Sequence, residues 1–278
     1  MATSDLPRVI IKPTKGLRNL NFREIWLYRE LLYFLTWGQL KVRYKQTVIG
    51  VLWAIIQPFA TMVVFTIIFG KMVKVPSEGF PYPIFLYAGL LPWQFFSQSI
   101  TSASQSLVNQ RNLVQKVYFP RVLLPASDIF SALVDFGISF TILIAMFFFY
   151  RVSLTPRVFT LPLFILLAIL TALGISLWFS ALNAKYRDVG YTVPFLTQLW
   201  LFVTPVVYPA SVVPAGWGKV IYNLNPMVAV VEGFRWALLG GTKMFNPLLY
   251  LSIGVSILIL IGGILYFCRA EKEFADLI

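Results

Sequence analysis

The chain has 278 residues, of which 58% are apolar and only 12% are charged, and its formal net charge is +12. Soluble domains carry about 25% charged residues, so the composition argues against a soluble fold and against a nucleic-acid partner, despite the positive charge. The chain has no His and a single Cys, Cys268, which excludes imidazole chemistry, an internal disulfide and a CxxC metal site.

Six stretches are long and apolar enough to predict membrane-spanning helices. They are the uncharged runs 46–70, 79–110, 158–184, 189–218 and 244–268, and the run 122–150, which only two Asp residues interrupt. The second run ends in the polar sequence SQSITSASQS, so its span is predicted from Pro83 to about Ser104. The prediction is an all-α membrane protein whose six spans occupy residues 46–268.

The segments outside the spans differ in character. Residues 1–21 and 269–278 are predicted to be tails. Residues 22–45 mix charges with aromatic and aliphatic side chains, as in REIWLYRELLYF, a pattern typical of an amphipathic helix lying in the membrane plane. For this helix, a plain interfacial anchor and a more specific role are both open.

Asp128 and Asp135 are the two acids of the third predicted span. They lie seven residues apart, about two helical turns, and therefore share one face. Asp128 is close to one end of the span and is expected to remain hydrated, whereas Asp135 is expected to pair with a cation or hydroxyl of a neighbouring helix. Structural or coupling roles are favoured, with proton transfer as the alternative because acids within a membrane are often functional.

Residues 210–243 are too irregular for a seventh span and predict a re-entrant hairpin before the last span. Asn225-Pro226 has the pattern of a helix N-cap followed by proline at the first helical position. The helix is expected to run from Pro226 to about Leu239 and to stop at Gly240-Gly241. Glu232 and Arg235, three residues apart, are expected to pair on it.

Lys and Arg residues are distributed unequally between the two ends of the spans. The N-terminal segment, the 107–121 and 183–191 loops and the C-terminal tail hold 16 of them, against seven on the other side. The positive-inside rule therefore places both termini in the cytoplasm.

Four sequence motifs together resemble the permease subunits of type-2 ABC transporters that export polysaccharides, such as O-antigen, teichoic acid or capsule polymers on a lipid carrier. The motifs are LKVRYK followed by GVLW and QP at 40–58, QRNLVQKVYFPRVLLP at 110–125, NAKYRDVGY at 183–191 and YNLNPMVAVVEGFR at 222–235. The resemblance covers roughly residues 22–268.

The resemblance implies a homodimer in a bacterial inner membrane that works with two copies of a separate ATP-binding subunit. ATP and Mg would then be bound by that subunit, which agrees with the absence of a GxxxxGK[ST] pattern here. This chain would be no enzyme, would need no cofactor or metal of its own, and would contact membrane lipids and a lipid-linked polysaccharide.

In the family, the interfacial helix and the loop between spans two and three contact the ATPase. These correspond to residues 22–37 and 107–120, in which Leu107, Val114 and Tyr118 are spaced as one helical stripe. A solvated connecting loop is the alternative. The residues expected to couple to the partner are Glu24, Arg29, Gln110, Arg111, Asn112, Gln115 and Lys116.

Lys41, Arg43 and Lys45 precede the first span and have three competing interpretations. They bind anionic headgroups and fix topology, they transmit movement of the interfacial helix, or they attract the pyrophosphate of a lipid-linked polymer.

Aromatic side chains are frequent near the ends of spans one, two and five. Sugar rings stack on such side chains, and many weak contacts suit a moving polymer, although core packing and interfacial belts are the ordinary explanation. Pro58 in the first span and Pro194, Pro205 and Pro209 in the fifth are expected to kink these helices. The residues predicted to line a pathway are Trp53, Phe59, Tyr87, Trp93, Phe96, Trp200 and Tyr208.

The sequence thus favours the transmembrane subunit of an exporter for a lipid-linked cell-surface polysaccharide. Two alternatives stay open. One is a type-2 ABC permease for small drugs or lipids, and the other is a proton-coupled carrier that uses Asp128 and Asp135.

Overall fold

The computed structural model describes residues 22–45, 50–153, 155–214, 216–240, 248–272 and 274, and these ranges consist of helices joined by turns and loops, without a strand. The predicted tail 1–21, residues 46–49 of the first span, residues 241–247 and most of the C-terminal tail lie outside the described residues. The α-helices are α1 (Phe22–Leu27), α2 (Arg29–Lys45), α3 (Trp53–Phe65), α4 (Tyr82–Asn109), α5 (Arg111–Lys116), α6 (Leu123–Tyr150), α7 (Leu161–Lys185), α8 (Val189–Val203), α9 (Trp217–Asn223), α10 (Pro226–Leu239) and α11 (Leu248–Ala270).

Four helical segments of the described chain are long and apolar enough to cross a membrane. They are Gly50–Met72, Leu123–Tyr150, Pro156–Lys185 and Leu248–Ala270. The other two predicted spans correspond to α4 and α8. Helix α4 has 28 residues and a length of about 42 Å, but polar side chains dilute its apolar character. Helix α8 has only 15 residues, fewer than the roughly 20 that a straight span needs.

Helix α4 is the centre of the fold. It packs against α6, α7, α8 and α10, and it continues to Asn109, beyond the end predicted from its polar sequence. Its apolar side chains, including Phe85, Leu90 and Phe96, are almost completely buried. The apolar sequence around 83–100 therefore builds the core of the protein rather than a lipid-facing surface.

Helices α7 and α11 cross at very short range because two glycines face each other there. A Cβ added at Gly263 would lie 2.3 Å from the carbonyl oxygen of Gly174, and one added at Gly174 would lie 2.7 Å from the Cα of Leu260. Small residues allow such backbone contact between membrane helices, where packing drives association.

The prolines predicted to kink the spans have different positions. Pro58 lies inside α3 and Pro194 inside α8, as expected. The prediction is wrong for Pro205 and Pro209, which follow the end of α8. Thr204 has an extended backbone (φ −99°, ψ 145°), since a following proline disfavours the helical conformation.

The predicted helix of the hairpin is confirmed. Helix α10 begins at Pro226 and ends at Leu239, with Gly240 in the left-handed conformation (φ 76°). The Asn225 side chain accepts a hydrogen bond from the Met227 amide at 3.0 Å, which makes it the N-cap. The predicted Glu232–Arg235 pair is also present, at 3.4 Å.

Arg235 has a second set of contacts that no sequence pattern indicates. Its buried guanidinium donates to the carbonyl oxygens of Pro205, Val206 and Tyr208, just beyond the end of α8, and to that of Phe85. Carbonyl groups after a helix end have no intrahelical donor. Arg235 therefore fixes the loop after α8 against α4 and α10.

The expected continuous stripe of Leu107, Val114 and Tyr118 is wrong. Leu107 and Val114 are buried in one cluster, but the chain leaves helical geometry at Gln110 and again after Lys116, and Tyr118 is exposed. Helix α5 ends at Lys116 because Val117 has an extended backbone (φ −127°, ψ 135°), and Pro120, which has no amide hydrogen, does not allow a helix to continue through the segment.

Candidate functional site

A polar cleft of about 450 Å³ lies between α3, α4 and α6, in the part of the fold where the sequence predicts apolar spans. Amide and hydroxyl side chains dominate the polar part of its lining, and Trp93, Phe95 and Phe136 contribute apolar surface. The polar lining residues are Arg43, Gln57, Thr61, Gln94, Ser97, Gln98, Thr101, Ser102, Asp135 and Ser139.

Helix α4 supplies five of the ten polar lining residues. Among them, Gln94, Gln98 and Thr101 follow a helical spacing of four and three residues, so they form a continuous stripe about 11 Å long on one face. These side chains are half-buried, whereas most of the remaining surface of α4 is packed in the core. A polar stripe in a membrane helix is stable where it faces other polar groups or water.

Asp135 of α6 is the most strongly held polar group of the cleft. Its Oδ2 accepts hydrogen bonds from Arg43 and from Gln98, the latter at 2.5 Å, and its Oδ1 accepts one from the Tyr44 hydroxyl. The expectation that Asp135 pairs with a cation of another helix is confirmed, and Arg43 is that cation. The network joins the end of α2 to α4 and α6. Burial, followed by the hydrogen bond to Asp135, raises the pKa of the Tyr44 hydroxyl above its ordinary value.

Asp128 lies two turns away, and the expectation that it stays hydrated is wrong. Its side chain is buried, and among the described residues neither its Oδ2 nor Oε1 of Gln39 has a hydrogen-bond partner. The Gln39 amide nitrogen donates to the Ser127 hydroxyl at 3.0 Å, so α2 covers this end of α6. The packing of α2 on α6 is what removes Asp128 from solvent.

The structure separates the three cations that the sequence places together. Lys41 and Lys45 are exposed, whereas Arg43 points into the cleft towards Asp135. The alternation arises because Lys41 and Lys45 are one helical turn apart on α2, and Arg43 lies on the other side. Only the two lysines have the exposure that headgroup or pyrophosphate binding requires.

The predicted pathway aromatics fall into two groups. Tyr87, Trp93 and Phe96 belong to the core, and the Tyr87 hydroxyl donates to the Ser139 carbonyl oxygen at 3.0 Å. Their burial argues against direct contact with a substrate, apart from the edge of Trp93 that borders the cleft. The other four are not buried: Trp53 and Phe59 are exposed and Trp200 and Tyr208 are half-buried.

A second candidate surface lies where α1, α2, the 107–121 segment and the C-terminal segment meet. Val114 and Phe119 pack in a buried cluster with Phe267 and Phe274, and Ile25 and Leu32 cover it from the N-terminal helices. The expected coupling residues surround this cluster. Of these, Arg29, Arg111, Asn112, Gln115 and Lys116 are exposed, while Glu24 and Gln110 are half-buried.

Three hydrogen bonds fasten this junction. The Tyr118 hydroxyl donates to Oε1 of Glu24 at 3.3 Å, and the Arg121 amide donates to Oε1 of Glu271 at 3.2 Å. The Arg121 guanidinium also bonds the Glu271 carbonyl oxygen and lies 5.9 Å above the Phe274 ring. Burial raises the pKa of the Glu271 carboxyl, although Arg121 opposes the shift.

Sequence reasoning missed the glutamines of the cleft, Gln57, Gln94 and Gln98. The available signal was the polar sequence SQSITSASQS together with Gln94, whose spacing puts them on one helical face, but that sequence was taken as the end of a span. Among the described residues no three His, Cys, Asp or Glu side chains are grouped as metal ligands would be.

The sequence matches one known protein family and several known proteins. The profile of the ABC-2 type transporter family matches residues 30–239. The chain is 30% identical over 257 residues to the O-antigen export system permease protein RfbA of Myxococcus xanthus, covering 91% of this chain and 97% of that protein.

Two further relatives span most of the chain. An O-antigen export system permease protein RfbA of Klebsiella pneumoniae is 28% identical over 254 residues, covering 90% of this chain and 95% of the relative. The polysialic acid transport protein KpsM of Escherichia coli is 25% identical over 241 residues, covering 84% of this chain and 91% of that protein.

Proposed function

The chain belongs to the ABC-2 type transporter family, and from this premise we propose that it is the transmembrane subunit of an ATP-driven exporter of a lipid-linked cell-surface polysaccharide. The relatives named as O-antigen export permeases, which match nearly the whole chain, support this substrate class. The polymer moves from the cytoplasmic to the outer side of a bacterial inner membrane.

The observation that carries the proposal is the polar cleft beside α4. Its amide and hydroxyl groups both donate and accept hydrogen bonds, as sugar hydroxyls do. A chain of sugars can therefore exchange its hydration for many interchangeable contacts without one deep binding site, which is what passage requires. The aromatic edges of Trp93, Phe95 and Phe136 offer apolar surface for the C–H faces of the sugars.

The whole exporter contains two copies of this chain. Each copy has six spans, which are the four apolar helical segments described above together with α4 and α8. Both termini are cytoplasmic, in keeping with the excess of Lys and Arg in the segments assigned to that side. Helices α1 and α2 lie at the membrane surface. Their exposed aromatic residues, among them Trp26, Phe34 and Trp37, suit the headgroup region.

Two copies of a separate subunit bind and hydrolyse ATP. They dock on the junction of α1, α2 and the 107–121 segment, where polar residues surround an apolar cluster. The Arg43–Asp135 pair gives movement of α2 a direct connection to the cleft. Lys41 and Lys45 remain available for the phosphates of headgroups or of the lipid carrier.

The network around Asp135 argues against the proton-coupled alternative. The Asp135 carboxyl accepts hydrogen bonds from Arg43, Tyr44 and Gln98, so both of its oxygens are already engaged in a network that joins three helices. A permease for small drugs or lipids is distinguished by the experiment below.

The test is a strain that lacks the gene, analysed for lipid-linked glycans on both sides of the inner membrane. We expect carrier-bound polymer to accumulate on the cytoplasmic side and surface polymer to disappear, with both restored by the wild-type gene. A double variant, Gln94→Leu with Thr101→Leu, is expected to restore about tenfold less surface polymer because it removes hydrogen-bonding groups from the cleft.

The matched control is Thr141→Leu with Phe148→Leu, which changes exposed side chains of α6 outside the cleft. This variant is expected to restore export fully. Unchanged surface glycans in the deletion strain would contradict the polysaccharide assignment and favour a small-molecule substrate.

A further inference from the structure

The charge balance of the cleft restricts the polymer that the cleft accepts. Among the described residues that line it, Arg43 is the only cation and Asp135 the only acid, and the two are paired. The other polar lining groups are uncharged amides and hydroxyls. We infer that the cleft takes a chain of uncharged sugars and discriminates against a polyanionic chain. This inference rests on the proposed function and names the substrate class of the same cleft.

Uncharged and polyanionic polymers differ in the hydration that they lose on leaving water. An uncharged sugar exchanges hydrogen bonds with water for hydrogen bonds with groups such as Gln57, Gln94 and Thr101. A sugar that carries a carboxylate must also replace the hydration of a charge. Such a charge is accommodated in a protein interior only where a cation or several donors meet it.

Among the described lining residues, the cleft has no second cation for that purpose. Arg43 is committed to Asp135, whose Oδ1 and Oδ2 already hold three donors. The approach of a second anion would compete for Arg43 and would bring two negative charges close together. The exposed Lys41 and Lys45 do not line the cleft, so they can attract an anion to its neighbourhood but cannot accompany it through.

A second copy of the chain has a cleft with the same lining, and therefore another paired Arg43 and Asp135 among neutral amides and hydroxyls. Each cleft on its own thus offers a polyanion no second cation among the described lining residues.

The experiment uses the chain together with its ATP-binding partner, reconstituted in sealed vesicles. The probes are two polymers of equal length on the same lipid carrier, one of uncharged hexoses and one with a carboxylate on every sugar. ATP-dependent transfer across the membrane is expected to be about tenfold slower for the charged polymer, given the cost of an unpaired charge.

Three variants test whether the charge of the cleft lining causes the difference in transfer rate between the two polymers. Gln94→Lys adds a cation to the cleft and is expected to raise the charged-to-uncharged ratio of rates about tenfold, while Gln94→Glu is expected to lower it further. The control, Ser153→Lys, adds the same charge at an exposed position outside the cleft and should leave the ratio unchanged. Because the ratio compares two probes on one preparation, partial loss of folded protein does not affect it.

The outcomes separate this inference from the proposed function. Equal rates for the two polymers, unaltered by the substitutions at Gln94, would overturn the inference and leave polysaccharide export standing. If neither polymer crosses while ATP is hydrolysed, the proposed function fails, and the inference fails with it.

Discussion

At the scale of single residues, Asp135 holds three elements together. It accepts hydrogen bonds from Arg43 and Tyr44 of α2 and from Gln98 of α4. Breaking a buried ion pair by removing one partner is more harmful than removing both, because the remaining charge is left uncompensated.

We therefore expect Asp135→Asn to lower the stability of the protein by roughly 1–3 kcal/mol, less than a fully buried pair because the Arg43 side chain is 33% exposed. The double variant Arg43→Gln with Asp135→Asn should recover most of the loss. Thermal unfolding in detergent measures both. Additive losses in the double variant would show that the pair does not couple the helices.

Glu271 gives a pH dependence to the junction. Its pKa is raised in the folded state by burial. The unfolded segment ionises near the ordinary glutamate pKa, about 4.3, whereas the folded one ionises only at a higher pH. The contribution of Glu271 to stability is therefore fully present at low pH, and it is lost as pH rises through the interval between the two pKa values.

Hydrogen-exchange protection of residues 111–121 should thus decrease as pH rises through that window. The decrease should vanish in Glu271→Gln, whereas Glu30→Gln, at an exposed position of α2, should retain it. An identical pH profile in wild type and Glu271→Gln would refute the assignment.

At the scale of elements, the crossing of α7 and α11 depends on the absence of side chains at Gly174 and Gly263. Gly263→Val is expected to destabilise the protein by about 1–3 kcal/mol because the added carbons collide with backbone, which cannot move aside as a flexible side chain would. Gly254→Val on the same helix is the control, since a Cβ there meets nothing within 4 Å. Equal melting temperatures for the two variants would contradict this reading of the contact.

Helix boundaries that depend on neighbouring residues could be predicted from the sequence, whereas those that depend on distant contacts could not. The bounds of α10 followed from Asn225, Pro226 and Gly240, because caps act through neighbouring residues. Helix α4 continues to Asn109, beyond the predicted end of its span at about Ser104, where the polar sequence was taken as the end of the span. The polar stripe of α4 lies instead in a cleft with Gln57 of α3 and Asp135 of α6, which are distant in sequence.

The candidate site was predicted only in part, because some of its contacts join residues that are distant in sequence. A cation partner for Asp135 could be expected from the cost of burying an acid, but not that Arg43 rather than Lys41 or Lys45 would supply it. That choice depends on the rotation of α2 against α6. The burial of Tyr87 and Phe96 likewise depends on the central position of α4, which composition does not reveal.

At the scale of the whole molecule, the exporter needs contact between this chain and its ATP-binding partner. Arg111 and Lys116 are exposed at the ends of α5, beside the buried Val114. We expect Arg111→Glu with Lys116→Glu to reduce co-purification of the partner about tenfold without unfolding the chain, because only surface charge changes.

The control for this prediction is Lys74→Glu, which reverses an exposed charge beyond the far end of the first predicted span. It should leave co-purification intact. If the α5 variant binds the partner as wild type does, the docking surface lies elsewhere.

We propose that the polysaccharide passes along the polar cleft of this chain, and site-directed photo-crosslinking during transport can detect the polymer there. A photoreactive side chain is introduced at Gln94 in the cleft or, as the reference, at Phe149, which is 79% exposed on α6. We expect an ATP-dependent adduct between the protein and the polymer at residue 94 and none at residue 149. An adduct at residue 149 alone, or none at residue 94 while the polymer is being exported, would contradict it.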